Sequence, residues 1–213
     1  MDLVTGLVSL IILVYSAILH EIAHGLVAER LGDPTARLLG RLTLNPKNHI
    51  DPFMSIALPL ILILSGSPVI FGAAKPVPVD PFNLKDGRKD IALVSLAGPA
   101  TNVLIAATAA LLIKLLEEFT VLGDFQVFAY WFLLISVKLN LLLAIFNLIP
   151  IPPLDGSKIF ALILPEKEAN TFLALGSIGI FILFFLLMFP IGGFSLGDFI
   201  FNLLTFSEKL LGI

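Results

Sequence analysis

Several apolar runs of membrane-spanning length divide this sequence, and they constrain its fold more than any other feature. The hydrocarbon core of a bilayer is about 30 Å thick, and a helix needs roughly 20 residues to cross it. The runs of this kind are Leu3–Glu29, Ile91–Leu116, Gln126–Leu148 and Asn170–Phe189. We therefore expect an all-α polytopic membrane protein with about five to six transmembrane helices.

The composition agrees with a membrane protein and excludes some classes of function. Hydrophobic residues make up 58% of the 213 residues and charged residues 14%, whereas a typical soluble domain carries about 25% charged residues. There is no basic tail or stripe, so nucleic acid is not an expected partner. The absence of cysteine removes disulfides and thiolate metal ligands. We expect a single domain, in which residues 1–165 form the core and residues 166–213 add transmembrane or interfacial helices.

The first apolar run ends in Leu19-His20-Glu21-Ile22-Ala23-His24-Gly25, an H-E-x-x-H pattern. On a helix the two histidines share one side, and this spacing suits two nitrogen ligands of a tetrahedral zinc. Glu21 could then take a proton from a water that the metal activates. Chance matches mostly lie on solvated helices. Here the ionisable groups lie about 25 Å along a membrane helix, where such groups are costly and indicate a function.

The charges around this run predict its orientation. The N-terminus lacks the basic region of a signal peptide, so we expect the run to be retained as a helix. Only Asp2 precedes it, whereas Arg30, Arg37, Arg41 and Lys47 follow it. The positive-inside rule therefore places the N-terminus outside the cell and the histidine end of the helix toward the cytoplasm.

The sequence does not predict a simple transmembrane helix for three other stretches. Residues 32–51 contain short alternating runs broken by Gly40 and Asn45-Pro46, which favours a small β hairpin or sheet, or an extended loop. Residues 53–72 are apolar but contain Pro59 and lead back to basic residues, so we expect a re-entrant segment near the active site. The tail at 194–213 is either a sixth helix or an amphipathic helix in the interface.

Asp155 is the candidate for a third zinc ligand. It follows Pro150, Pro152 and Pro153, and as the cap of a short helix it could be purely structural. We favour the ligand role because two histidines need a further partner. Membrane topology agrees, since Asp155 reaches the depth of His20 only if residues 53–72 return to the side from which they entered.

Other polar residues have alternative roles. Asn102, in Gly98-Pro99-Ala100-Thr101-Asn102, suits a bond to a neighbouring helix as well as a role near the metal. Lys138 and Asn140 are expected to face the bundle or a wet cavity. His49 is expected to be structural or exposed rather than a ligand.

Taken together, these residues resemble the site-2 protease family of intramembrane zinc metalloproteases. The resemblance covers roughly residues 5–165 and rests on three places: His20-Glu21-Ile22-Ala23-His24, Gly98-Pro99-Ala100-Thr101-Asn102 and Asn147-x-x-Pro150…Asp155-Gly156. The stretches Gly40–Pro46 and Lys75-Pro76-Val77-Pro78 look like the compact prokaryotic branch, which lacks PDZ and nucleotide-binding domains.

The resemblance implies that His20, His24 and Asp155 bind one Zn²⁺ per chain and that Glu21 is the catalytic base. It also implies that Asn147 holds the substrate or the oxyanion, and we assign substrate binding to Asn102 as well. The expected reaction is hydrolysis of peptide bonds within or near the transmembrane segments of single-pass proteins. The expected setting is the plasma membrane of a prokaryote, with lipid and transmembrane substrates as partners.

Two other functions remain open at this point. A zinc-binding or zinc-transporting membrane protein would use the same ligands, although it has no need of a base beside them. A catalytically inactive homologue would only bind membrane segments, although it has no need of Glu21. Cleavage of a tagged substrate with and without a chelator separates these alternatives.

Overall fold

The structure is a computed structural model that describes residues 3–65, 75–118 and 123–213. Its α-helices are α1 (Leu3–Leu31), α2 (Thr35–Leu38), α3 (Leu58–Leu64), α4 (Arg88–Glu117), α5 (Gly123–Asn147), α6 (Asp155–Phe160), α7 (Glu166–Leu173), α8 (Gly176–Met188) and α9 (Leu196–Leu211). Over the described residues the protein is thus mainly helical, as the apolar runs predict.

Among the described residues, three helices are long and apolar enough to cross a membrane: α1 with 29 residues, α4 with 30 and α5 with 25. They pack on one another, with small residues such as Ala106 and Ala110 of α4 buried against Val137 and Leu141 of α5. Small residues let helix backbones approach closely inside a bilayer. The count becomes four if α7 and α8 form one bent span. The predicted five to six spans are therefore not confirmed over the described residues.

The last helix, α9, lies along α5 instead of apart from it. Leu196 and Ile200 near its start pack against Ile145 and Ile149 at the end of α5. Leu211, near its end, packs on the cluster formed by α4 and the middle of α5. The two helices therefore run antiparallel in the bundle. The tail thus packs on the bundle, but α9, with 16 residues, is not among the described helices long enough to cross a membrane, so the predicted sixth span is not confirmed.

Of the two structures predicted for residues 32–51, a β hairpin or an extended loop, the hairpin is not confirmed. Within the described residues there is no strand, and the only bridge is an isolated pair, Ile191 with Phe194. The region instead forms α2 and a short 3-10 helix, Pro46–Asn48, which begins where the Asn45 side chain accepts a hydrogen bond from the Lys47 amide. Asn before Pro is a good N-cap. The local capping signal decides the structure here, because the alternating runs are too short to pair.

The described residues on either side of the predicted re-entrant segment lie close together. A short π-helix, Pro52–Ala57, leads into α3, and Ile63 of α3 packs on Gly6 near the start of α1. Fourteen helical residues separate Gly6 from His20, about 21 Å. The Lys75 amide nevertheless donates to the His49 carbonyl at 2.7 Å. Because both ends of the excursion meet, the geometry supports a segment that dips and returns; residues 66–74 lie outside the described residues.

Candidate metal centre

The two histidines of the H-E-x-x-H pattern lie one turn apart on α1 and are nearly buried. His20 Nδ1 donates to the side-chain oxygen of Asn102 at 2.6 Å. His24 Nδ1 donates to the backbone carbonyl of Val94, also at 2.6 Å. Both acceptors belong to α4. Each Nδ1 therefore carries a proton, and the two Nε2 atoms are the nitrogens that remain to bind a metal.

Asp155 brings a carboxylate to both Nε2 atoms. It is the first residue of α6, and its Oδ2 lies 3.2 Å from His20 Nε2 and 3.2 Å from His24 Nε2. Gly156 follows, packed so tightly on the Leu148 carbonyl that a Cβ would not fit. This contact seats the turn against the end of α5. The structure thus joins the beginning and the late part of the chain at one point.

The other oxygen of Asp155 is held by a lysine on the same helix. Lys158 Nζ lies 3.3 Å from Oδ1, at an i,i+3 spacing. The positive charge of Lys158 favours the ionised form of Asp155, which is the form that binds a metal.

This donor set fits a zinc ion. Two ligand atoms of a tetrahedral zinc, each at about 2.0–2.1 Å, lie about 3.3 Å apart. The two Nε2–Oδ2 separations are 3.2 Å. A cation, either a proton or a metal ion, must lie between the imidazole nitrogens and the ionised carboxylate to hold them this close. Three protein ligands with a fourth position open is the arrangement of a catalytic zinc site.

Gly98 of α4 makes room for the site. A Cβ at this position would collide with the Nε2 atoms of His20 and His24. Asn102 follows one turn later on the same face, which explains the Gly-x-x-x-Asn spacing in the sequence. The glycine lets α4 approach the imidazoles, and the asparagine orients one of them.

Glu21 lies beside the ligands and is held by a backbone amide. It offers a carboxylate oxygen within 4.8 Å of a ring nitrogen of His20 and of His24. Its Oε2 accepts from the Val77 amide at 2.6 Å. Val77 stands between Pro76 and Pro78, which have no N–H group. The single amide of this Pro-Val-Pro stretch therefore points at the candidate base.

The segment that carries Val77 is anchored on both sides. The Arg41 guanidinium donates to the carbonyls of Lys75 and Pro76 at 2.7 and 3.1 Å. On the other side the amide of Asp80 donates to Asp33 Oδ2 at 2.7 Å. We call residues 75–80 the strap. Its anchors fix the distance between Val77 and Glu21.

A profile described as Peptidase family M50 matches residues 8–128 and 117–190, which is most of the chain. The chain belongs to peptidase family M50, the site-2 protease family. The resemblance inferred from the three sequence patterns is confirmed.

Two relatives of this M50 protein show how far the likeness extends. YwhC of Bacillus subtilis, provisionally named a zinc metalloprotease, is 37% identical over 188 residues, covering 87% of this chain and 82% of the relative. Rip2 of Mycobacterium tuberculosis, provisionally named in the same way, is 35% identical over 175 residues. That match covers 81% of this chain and 62% of Rip2, so the chain spans less than two thirds of that relative. No solved structure matches.

The other polar residues named in the sequence analysis of this M50 protein differ in burial and in how well their contacts agree with the predicted roles. Asn102 is fully buried, and both ends of its amide bond to protein groups, so a direct contact with substrate would require these bonds to break. Asn147 is partly buried and donates to the Leu143 carbonyl. His49 is fully buried and bonds to the Thr43 carbonyl, which agrees with the predicted structural role. Asn140 faces the bundle as expected, but Lys138 is exposed.

Sequence reasoning missed several groups around the site. The i,i+3 spacing of Lys158 from Asp155 could have indicated their contact. The proline-flanked Val77 carried a signal as well, since its amide is the only donor of its stretch. The Val94 carbonyl carried none, because any helical residue has a carbonyl and only the rotation of α4 against α1 selects this one.

Proposed function

We propose that this M50 protein is a zinc metalloendopeptidase that hydrolyses peptide bonds within or near the transmembrane segments of single-pass membrane proteins. The observation that carries the proposal is the meeting of His20, His24 and Asp155 at 3.2 Å, with Glu21 beside them. These ligands lie on or next to helices of membrane-spanning length. The proposal includes one zinc per chain.

Zinc bound at this site would act as a Lewis acid toward a water molecule and the scissile carbonyl. The residues of the chain do the rest. Asp155, His20 and His24 would hold the ion. Glu21 takes a proton from the attacking water and passes it to the leaving amine. Because Val77 engages Oε2, we assign the proton transfer to Oε1.

The amide of Asn147 is the candidate for stabilising the developing oxyanion. Its Nδ2 now donates to the carbonyl of Leu143, one turn earlier on α5. A carbonyl of the same helix is a weak competitor, because that carbonyl also accepts a bond from the backbone. Asn147 therefore turns toward the oxyanion at the cost of this one bond. A donor at the oxyanion typically contributes about 10²–10³ in rate.

The depth of the site suits an intramembrane reaction. His20 lies about 25 Å along α1, nearer the end that basic residues follow. A position near the cytoplasmic face of a prokaryotic plasma membrane shortens the route for water. A substrate helix must unwind before its backbone is accessible, and residues 75–79 of the strap run past Glu21. We assign the strap as the segment along which the unwound substrate lies, by strand addition.

Cleavage of a tagged single-pass substrate by detergent-purified protein tests the proposal. We expect cleavage that a chelator abolishes and that added zinc restores. The Glu21→Gln variant should bind zinc and leave the substrate intact. Zinc movement into sealed vesicles without any cleavage would instead support transport. Zinc binding and substrate binding without cleavage by the wild type would support an inactive homologue.

A further inference from the structure

Buried polar groups connect His20 to α5 through two asparagines. Asn102 accepts from His20 Nδ1 at 2.6 Å and donates its Nδ2 to Asn140 Oδ1 at 2.9 Å. Asn140 Nδ2 donates to Ser16 Oγ and to the backbone carbonyl of Ser136, each at 2.9 Å. Both asparagines are 0% exposed, so water does not compete for their amides. The connection links α1, α4 and α5 at the depth of the site.

The backbone carbonyl of Ser136 determines in which direction the hydrogen bonds of this connection are donated. A backbone carbonyl only accepts hydrogen bonds, so Asn140 must turn its nitrogen toward Ser136. Its oxygen then faces Asn102, which must present its own nitrogen and direct its oxygen at His20. His20 Nδ1 must therefore carry the proton, and Nε2 is left with a lone pair. The Ser136 carbonyl thus selects the tautomer of His20 through two side-chain amides.

We propose that Asn140 is a positioning residue that acts through Asn102 to hold His20 in its metal-binding tautomer and orientation. The inference rests on the zinc site proposed above. His24 is also held by a backbone carbonyl, but directly and not through side-chain amides, since its Nδ1 donates to the Val94 carbonyl. Partners of this kind on a ligating imidazole typically change metal affinity about 10–100-fold when removed.

The competing explanation is that Asn140 only joins helices. Amide bonds between membrane helices stabilise a bundle wherever they occur. That explanation predicts a loss of thermal stability with no specific link to zinc. A positioning role predicts a change in zinc affinity that depends on Asn102. A double-mutant cycle separates the two explanations, because the effects of two substitutions on the free energy of zinc binding do not add when one residue acts through the other.

The experiment measures the zinc dissociation constant of the detergent-purified protein by competition with a chelator. We expect Asn140→Leu and Asn102→Ala each to weaken zinc binding by about 10–100-fold. The double variant should bind zinc as Asn102→Ala does, within about twofold. Unchanged affinity in Asn140→Leu, or two effects that multiply in the double variant, would overturn the inference.

Ser16→Ala is the matched control. It removes another bond of the same buried network but leaves the Ser136 carbonyl that fixes the polarity. We expect it to lower the melting temperature as Asn140→Leu does, with a zinc dissociation constant close to that of the wild type. A loss of zinc affinity in Ser16→Ala as large as in Asn140→Leu would contradict the argument from polarity.

A measurement on the wild type keeps the inference testable if a variant does not fold. Nitrogen-15 NMR of histidine-labelled, zinc-free protein should show the Nδ1–H tautomer for His20, and an Nε2–H tautomer would overturn the inference. A wild type that binds no zinc overturns the proposed function and this inference together. A wild type that binds and cleaves, with an Asn140→Leu variant of equal zinc affinity, overturns this inference alone.

Discussion

At the scale of single residues, Glu21 is the group on which the chemistry depends. In Glu21→Gln the Val77 amide still has an oxygen to bond to, so the local structure should persist while the proton acceptor is lost. General bases contribute about 10²–10⁴ in rate, and we expect substrate cleavage to fall at least about 100-fold with zinc content unchanged. Glu29→Gln is the control, because Glu29 lies on the same helix but pairs with Arg37 at the surface. Full activity of Glu21→Gln would reject its role.

Gly98 gives a second prediction at this scale. A methyl group at this position would occupy the space of the imidazole Nε2 atoms, so Gly98→Ala should displace α4 or a ligand and lower zinc content. Gly176→Ala is the matched control, since nothing lies within 4 Å of a Cβ built there. Zinc content measured on both purified variants checks the prediction. Equal zinc in Gly98→Ala and the wild type would show that α4 does not approach the histidines so closely.

At the scale of elements, Asp33 ties the end of α1 to the strap. Burial acts to raise the pKa of Asp33, but hydrogen bonds from Thr35, Asn83 and the Asp80 amide outweigh it and lower the pKa. A lowered pKa means that the ionised group stabilises the fold above its unfolded pKa, and that this stabilisation is lost as the pH falls through the folded value.

We therefore expect Asp33→Asn to melt below the wild type by roughly 4–8 °C at neutral pH, about 2 kcal/mol in a chain of this size. The difference in melting temperature between the two proteins should stay constant down to about pH 4, the ordinary pKa of an aspartate in an unfolded chain. Below that pH the difference should shrink, because Asp33 becomes protonated and asparagine does not. Melting curves of both proteins between pH 3 and pH 7 provide the test. A difference that widens as the pH falls would contradict this role.

The elements also show what sequence can and cannot predict. The long helices follow from the length of the apolar runs and the histidine pair from its i,i+4 spacing. Asp155 was predicted because two histidines need a third ligand, and the count of membrane crossings agreed. The predicted hairpin is not confirmed at Asn45-Pro46, where capping chemistry outweighs a weak alternating pattern. Asn140 was predicted to face inward, but its partners Asn102 and Ser16 depend on the rotation of three helices about their axes. Local patterns do not encode that rotation, because it is fixed by packing over the whole bundle.

At the scale of the whole molecule, the re-entrant course predicted for residues 53–72 determines which loops are expected on the same side of the membrane. Lys47 and Lys85 flank the excursion, and both are exposed. Because the chain contains no cysteine, single cysteines placed there can be labelled selectively. We expect Lys47→Cys and Lys85→Cys to react with an impermeant thiol reagent from the same side, and Glu118→Cys from the opposite side. Labelling of Lys47→Cys and Lys85→Cys from opposite sides would show that residues 53–72 cross completely.

The proposed function depends on one arrangement: Asp155, late in the chain, completes a metal site with His20 and His24 of α1. Zinc stoichiometry of the purified wild type beside Asp155→Ala tests this most directly, with Asp198→Ala as the control. We expect one zinc per chain in the wild type and in Asp198→Ala. Asp155→Ala should bind more than about 100-fold more weakly, beyond the 10–100-fold typical of a partner that does not touch the metal. Equal zinc affinity in Asp155→Ala and the wild type would contradict the account.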